Sequence, residues 1–125
     1  MDKFTRIGLL YEFYGALLPK RQKEATALYY EENCSLAEIA EEFGISRQGV
    51  YDALHSAEKA LEGYEEKLSL VKRFEKQDEQ LAKIQASLRA LLGETSADGK
   101  TADADAAPLA AILQDVTALR EDGME

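Results

Sequence analysis

The sequence predicts an all-α protein: a four-helix domain containing a helix-turn-helix, followed by a heptad-patterned helix and a short C-terminal helix. Three observations predict it. First, Ser35 and Glu38 stand at the spacing of a capping box, in which the serine hydroxyl accepts from the Glu38 amide and the carboxylate from the Ser35 amide. Second, the small residue Ala40 is followed four positions later by Gly44 and six beyond that by Val50, the register of two short helices crossing about a tight turn. Third, Leu70, Phe74, Gln77, Leu81, Ile84, Leu88 and Leu91 alternate in steps of four and three, the pattern of a coiled-coil seam with Gln77 as a polar layer.

The elements follow in order. From Lys3 to Leu18, apolar residues at Phe4, Ile7, Leu10, Tyr11, Tyr14, Leu17 and Leu18 form a broad helical stripe. Pro19 cannot extend that helix but can open the next as its first residue, where a missing amide costs nothing. The second helix is expected from Pro19 to about Glu32, with Ala25, Leu28 and Tyr29 inward and Tyr30 adjoining. Leu36, Ile39, Ala40 and Phe43 give the third helix an inner face, and Gly44 ends it in the left-handed conformation that glycine adopts without a Cβ penalty. Ile45 plugs the turn and Ser46 caps the fourth helix, whose inner positions Val50, Ala53, Leu54, Ala57 and Leu61 carry it to about Lys67.

These helices make up an expected helix-turn-helix domain over 3–67. The heptad-patterned helix covers 68–92, and its exposed stripe requires a cover. Residues 93–107, small, polar and containing Gly93 and Gly99, read as a flexible linker. Pro108 opens a final helix over 108–122 with Leu109, Ile112, Leu113, Val116 and Leu119 on one face. A helical hairpin or self-association, a dimer first, would bury both stripes.

Composition narrows the function classes. The chain has 125 residues, 46% of them hydrophobic and 31% charged, with one histidine, His55, and one cysteine, Cys34. No apolar run approaches the roughly 20 residues that span a bilayer, and the first residues lack a signal-peptide pattern, so a cytoplasmic protein with no membrane insertion is expected. A zinc site would have to be built almost wholly from carboxylates, and no phosphate loop, nucleophile elbow or paired-acid motif is present. Cys34 at a helix start offers a stabilised thiolate, set against the plainer reading of a small loop residue. No metal, cofactor or enzyme activity is therefore expected.

The segments YEFYGALL, LYYEEN, SLAEIAEE and ISRQGVYD lie within Leu9 to Val71, about half the chain. Over this run the sequence resembles the YlxM family of helix-turn-helix proteins. The resemblance implies a domain similar to region 4 of bacterial sigma factors. It also implies a role in the signal recognition particle pathway, because the family's genes commonly lie beside those of the particle's GTPases. Two departures stand out: His55 and Ser56 replace basic residues that come after VYD in the family, and LLPKRQ lacks the usual threonine at the helix start.

By analogy with helix-turn-helix proteins, the outward residues at the start of the fourth helix are candidate readers of nucleic acid: Ser46, Arg47, Gln48, Tyr51, Asp52 and His55. Arg47 suits guanine or a phosphate, and Gln48 suits adenine. Lys20, Arg21 and Lys23 form the one basic cluster of the N-terminal half and are the candidate phosphate or acidic-partner contacts. Charge opposes this reading. Residues 1–66 hold 7 Lys or Arg against 13 Asp or Glu, the net charge is −9, and binding to a phosphate backbone depends on neutralising it. Three functions are consistent with the sequence: a regulator linked to the signal recognition particle pathway whose domain contacts DNA, RNA or a basic protein, a sequence-specific transcriptional regulator, and an interaction scaffold that binds no nucleic acid.

Overall fold

Asp2 starts the first helix: its carboxylate accepts from the Thr5 amide at 2.7 Å, which holds the Asp2 carboxyl below the usual carboxylate range. The structure, a computed structural model, describes residues 1–98 and 103–122, with side chains for 1–93 and 107–121. Every element among its described residues is a helix or helical turn, without a strand. The chain divides into two units, Met1–Val71 and Lys72–Glu125.

In the first unit, α1 spans Lys3–Tyr14 and tightens into a 3-10 turn at Gly15–Leu17. A Cβ at Gly15 would stand 2.8 Å from the Tyr11 ring, so any larger residue there has to displace that ring. Pro19 is the N-cap of α2 rather than its first residue, with α2 running Lys20–Thr26. The helix expected to reach about Glu32 extends to Glu31, but its end is not α-helical: Ala27–Glu31 is a π turn, in which Glu32 donates to the Ala27 carbonyl. The wider turn shifts the helical phase of its own residues relative to α2. Tyr30 is consequently buried alongside Ala25 and Thr26 of α2, while Leu28 and Tyr29 are only half-buried.

The helix-turn-helix consists of α3, Leu36–Phe43, and α4, Arg47–Leu68. Ser35 and Glu38 make both bonds of the capping box, at 3.1 and 3.2 Å. Gly44 has φ +67° and its amide donates to the Ala40 and Glu41 carbonyls, so the left-handed stop is present. Ile45 is 40% exposed and covers Gly49 rather than filling the core. Helix α4 passes through Gly63 without a break.

One core unites these helices: Ile7, Leu10 and Tyr14 of α1, Ala25, Tyr30, Ile39, Ala40, and Val50, Leu54, Ala57 and Leu61 of α4. Burying a leucine or isoleucine side chain contributes about 1.5–3 kcal/mol. Phe4 and Leu17, at the two ends of the α1 stripe, stay exposed.

Ser69 adopts φ +55° between α4 and α5, and α5 spans Leu70–Asp98. The first amides of α5 are held within the first unit. The Tyr14 hydroxyl donates to Glu65 Oε1 at 2.6 Å and accepts from the Leu70 amide at 3.0 Å, and the same Glu65 oxygen accepts from the Val71 amide. Two of the orphan amides at the start of α5 are thereby satisfied by a buried phenol and its carboxylate partner. Burial, then the bond to Glu65, pushes the Tyr14 phenol up.

In the second unit, the rest of α5 packs with α6, Asp103–Asp122, as a helical hairpin. The flexible linker expected over 93–107 is corrected: α5 continues through Gly93 to Asp98 and α6 begins at Asp103, with Pro108 inside the helix instead of opening it. Alanine, the strongest helix former, is frequent in 102–111 and favours that extension. Residues 99–102 of the expected linker lie outside the described residues.

The polar layer also moves. Gln77 is exposed, whereas Gln85 is buried, donating to the Thr117 hydroxyl at 2.7 Å and accepting from Arg120 at 2.6 Å. Arg120 additionally holds Asp78 at 2.8 and 3.3 Å. Leu88 and Val116 are buried beside this network, while Ile84, Leu91, Ile112 and Leu119 remain exposed.

Candidate nucleic-acid interface

The first turns of α4 carry the candidate readers, and local bonding decides what each offers. Ser46 caps the helix, its hydroxyl accepting from the Gly49 amide at 3.0 Å, which commits that oxygen to structure. Gln48 donates through Nε2 to Asp52 Oδ1 at 3.0 Å, one helical turn on. That bond uses one Nε2 hydrogen and leaves Oε1 and the second hydrogen to face an adenine, in the orientation that Asp52 sets. Tyr51 and His55 stack with centroids 5.9 Å apart and planes within 6°. Arg47 is exposed and has no partner among the described residues. All six side chains lie on the exposed side of α4, at the turn and the first three turns of the helix.

The basic cluster is anchored by a ring. The Arg21 guanidinium stands 4.3 Å from the centroid of Phe43, the last residue of α3 and four positions before Arg47. This contact brings the opening of α2 to the turn end of the helix-turn-helix. Lys20 and Lys23 are exposed on the same short helix, and the Tyr11 hydroxyl reaches the Lys23 carbonyl at 3.4 Å.

The opposite end of α3 has a different character. A groove of about 370 Å³ is lined by Lys3 and Phe4 of α1, Tyr29 and Tyr30 of the π turn, Leu36 of α3, and Tyr51, Leu54, His55 and Glu58 of α4. Tyr30 pairs with Phe4 at 5.0 Å and Tyr29 at 4.9 Å. Glu58 accepts from the Tyr30 hydroxyl at 2.5 Å through one oxygen and holds Lys3 at 3.1 Å through the other. Burial and the Glu58 bond push the Tyr30 phenol far up, so it remains a donor. Of the groove, sequence reasoning identifies only Tyr51 and His55 as functional candidates. Phe4 is the one available signal, an apolar residue at the exposed start of an amphipathic helix.

Cys34 is half-buried, and burial together with Glu38, Glu32 and Glu42 pushes its thiol up, the reverse of an activated nucleophile. Among the described residues no group of three or more His, Cys, Asp or Glu stands where it could hold a metal ion, and no helix is long and apolar enough to cross a membrane.

Residues 1–96 match the family model described as "Putative helix-turn-helix protein, YlxM / p13 like". Among similar proteins, a UPF0122 protein of Halalkalibacterium halodurans is 47% identical over 88 residues, covering 70% of this chain and 81% of the relative. One from Caldanaerobacter subterraneus is 53% identical over 83 residues, covering 66% and 71%. A third, from Desulforamulus reducens, is 45% identical over 84 residues, covering 67% and 72%. The family is one of helix-turn-helix proteins of regulatory type rather than of enzymes. With three quarters of its length inside the family model and a helix-turn-helix complete in cap, turn and core, the chain belongs to the YlxM / p13-like helix-turn-helix family.

Proposed function

We propose that this protein is a cytoplasmic regulator that contacts nucleic acid, DNA or RNA, through the start of α4, and that it acts in the signal recognition particle pathway. The observation that carries the reading is the position of Arg47: exposed, without a partner among the described residues, and on the first turn of a capped second helix. Arg21, drawn to the α3 end by Phe43, and the exposed Lys20 and Lys23 support it as phosphate contacts on the neighbouring helix. The pathway assignment rests on family resemblance.

The test is electrophoretic mobility of the full chain with pooled DNA and RNA over a salt series. Salt-sensitive binding is expected, weakened about tenfold by Arg47→Ala and with a shallower salt slope. Absence of salt-sensitive binding to either pool overturns the nucleic-acid reading. A deletion strain with unchanged secretion and unchanged particle GTPase function overturns the pathway reading.

The scaffold reading, in which the C-terminal helices make the functional contacts, has its own support. Ile84 and Leu91 on α5, and Ile112 and Leu119 on α6, are spaced by seven, share a face of their helix and are 46–60% exposed. We propose that a second copy covers them, giving a dimer. Sedimentation of the full chain against an Ile84→Lys, Leu119→Lys variant tests this, with a monomeric parent overturning it.

A further inference from the structure

The helix-turn-helix has two chemically different ends, and the cations proposed for the nucleic-acid contact stand at only one. At the turn end stand Arg47 and the Lys20, Arg21 and Lys23 cluster. At the other lies the aromatic groove, in which Phe4 is 45% and Tyr51 52% exposed. A phosphate strand is poorly served there. The one lysine in the lining, Lys3, already holds Glu58. The segments that supply the rings are flanked by exposed acids: Asp2 before Lys3, Glu31 and Glu32 after Tyr30, Glu38 after Leu36, and Asp52 after Tyr51.

Aromatic faces carry negative potential and attract a guanidinium or ammonium, by about 0.5–2 kcal/mol depending on how far the cation is desolvated. Carboxylates around such rings add long-range attraction for the same charge and repel phosphate. We propose that the groove between the start of α1, the π turn and α4 docks an arginine-bearing basic segment of a partner protein. A guanidinium stacks between the Phe4, Tyr29 and Tyr30 rings on one side and the Tyr51 and His55 pair on the other. Leu36 and Leu54 take the apolar residues beside it. Because Tyr51 and His55 also lie on the exposed face of α4, a partner in the groove obstructs the part of α4 that would approach a nucleic acid. The two ligands then compete.

His55 is the sole histidine, so its ring resonances in the full chain are unambiguous and report on its surroundings, the groove among them. The probe is an arginine-rich amphipathic peptide, with an acidic peptide of the same length and single-stranded oligonucleotides as the other arms. Expected are a saturable shift of the His55 ring signals with the arginine peptide and affinity about tenfold weaker in Tyr51→Ala. Affinity unchanged in Arg47→Ala separates this docking from nucleic-acid contact. Tyr51 is exposed and outside the core, so its replacement leaves the fold intact, as thermal unfolding checks. Three results overturn the proposal: no His55 shift with the peptide, equal binding by Tyr51→Ala and parent, or saturation by the oligonucleotides but not by the peptide. The last identifies a base-stacking pocket instead.

Discussion

The two units solve the same problem, holding helices together, with different materials. In the first, Leu10, Ile39, Val50 and Leu61 are completely buried, and the interior is apolar apart from Thr26 and the phenols of Tyr14 and Tyr30. In the second, the described buried residues are Leu88, Val116 and the polar Gln85, with Arg120 joining Gln85 to Asp78. An apolar core derives its stability from area and close packing, and tolerates no void. A polar seam contributes little net energy but fixes the register of the helices, because any slip leaves an amide or guanidinium unmatched. The first unit is therefore built for stability and the second for alignment.

All six tyrosines lie in the first unit and the chain has no tryptophan, so the tyrosine band of the near-ultraviolet circular dichroism tracks that unit. The contrast breaks most visibly at Leu10→Ala, expected to destabilise the first unit by about 2–5 kcal/mol in urea unfolding. A cost near zero would mean that the core is loosely packed. Next comes Tyr14→Phe, which removes the hydroxyl that donates to Glu65 and accepts from the Leu70 amide. It should cost about 1–3 kcal/mol and speed amide exchange at Leu70. Removing the capping box with Ser35→Ala should cost about 1 kcal/mol in the same assay.

The smallest effect sharpens the other side of the comparison. The bond from Arg120 holds the Asp78 carboxyl below the usual carboxylate range, so this pair favours the folded hairpin at neutral pH. Its contribution is present above about pH 4, the ordinary aspartate value, and is lost as pH falls through the lower folded value. Amide exchange in α6 should therefore accelerate on acidification, and Asp78→Asn should flatten that response. An unchanged pH profile would show that the seam does not set the hairpin.

The helix-turn-helix is legible in the sequence because its signals are local: a cap three residues from its partner, a glycine at a required left-handed turn, and a stripe from Val50 to Leu61. The features that escape such a reading depend on distant or global matters. The π turn has no composition of its own, so spacing points Tyr29 inward where the fold buries Tyr30. Gln77 and Gln85 are both glutamines on one helix, and only the presence of Thr117 and Arg120 opposite decides which is buried. The weak helix signal of 93–98 and 103–107 is masked by Gly93 and Pro108, two residues that ordinarily mark helix ends. Of the candidate interface, the residues of α4 can be named from their spacing. The meeting of Arg21 with Phe43, and of Phe4 with Tyr30, joins segments far apart in the chain.

The π turn has a consequence for how relatives should be compared. An ordinary helix turns by roughly 100° per residue, so deleting one residue between Ala27 and Glu31 would not merely shorten a connection. It would rotate the end of the segment and present a different side chain to Glu58 in place of Tyr30. Length variation at this point is thus a change in displayed chemistry, and a gap in an alignment there marks a protein with a different face.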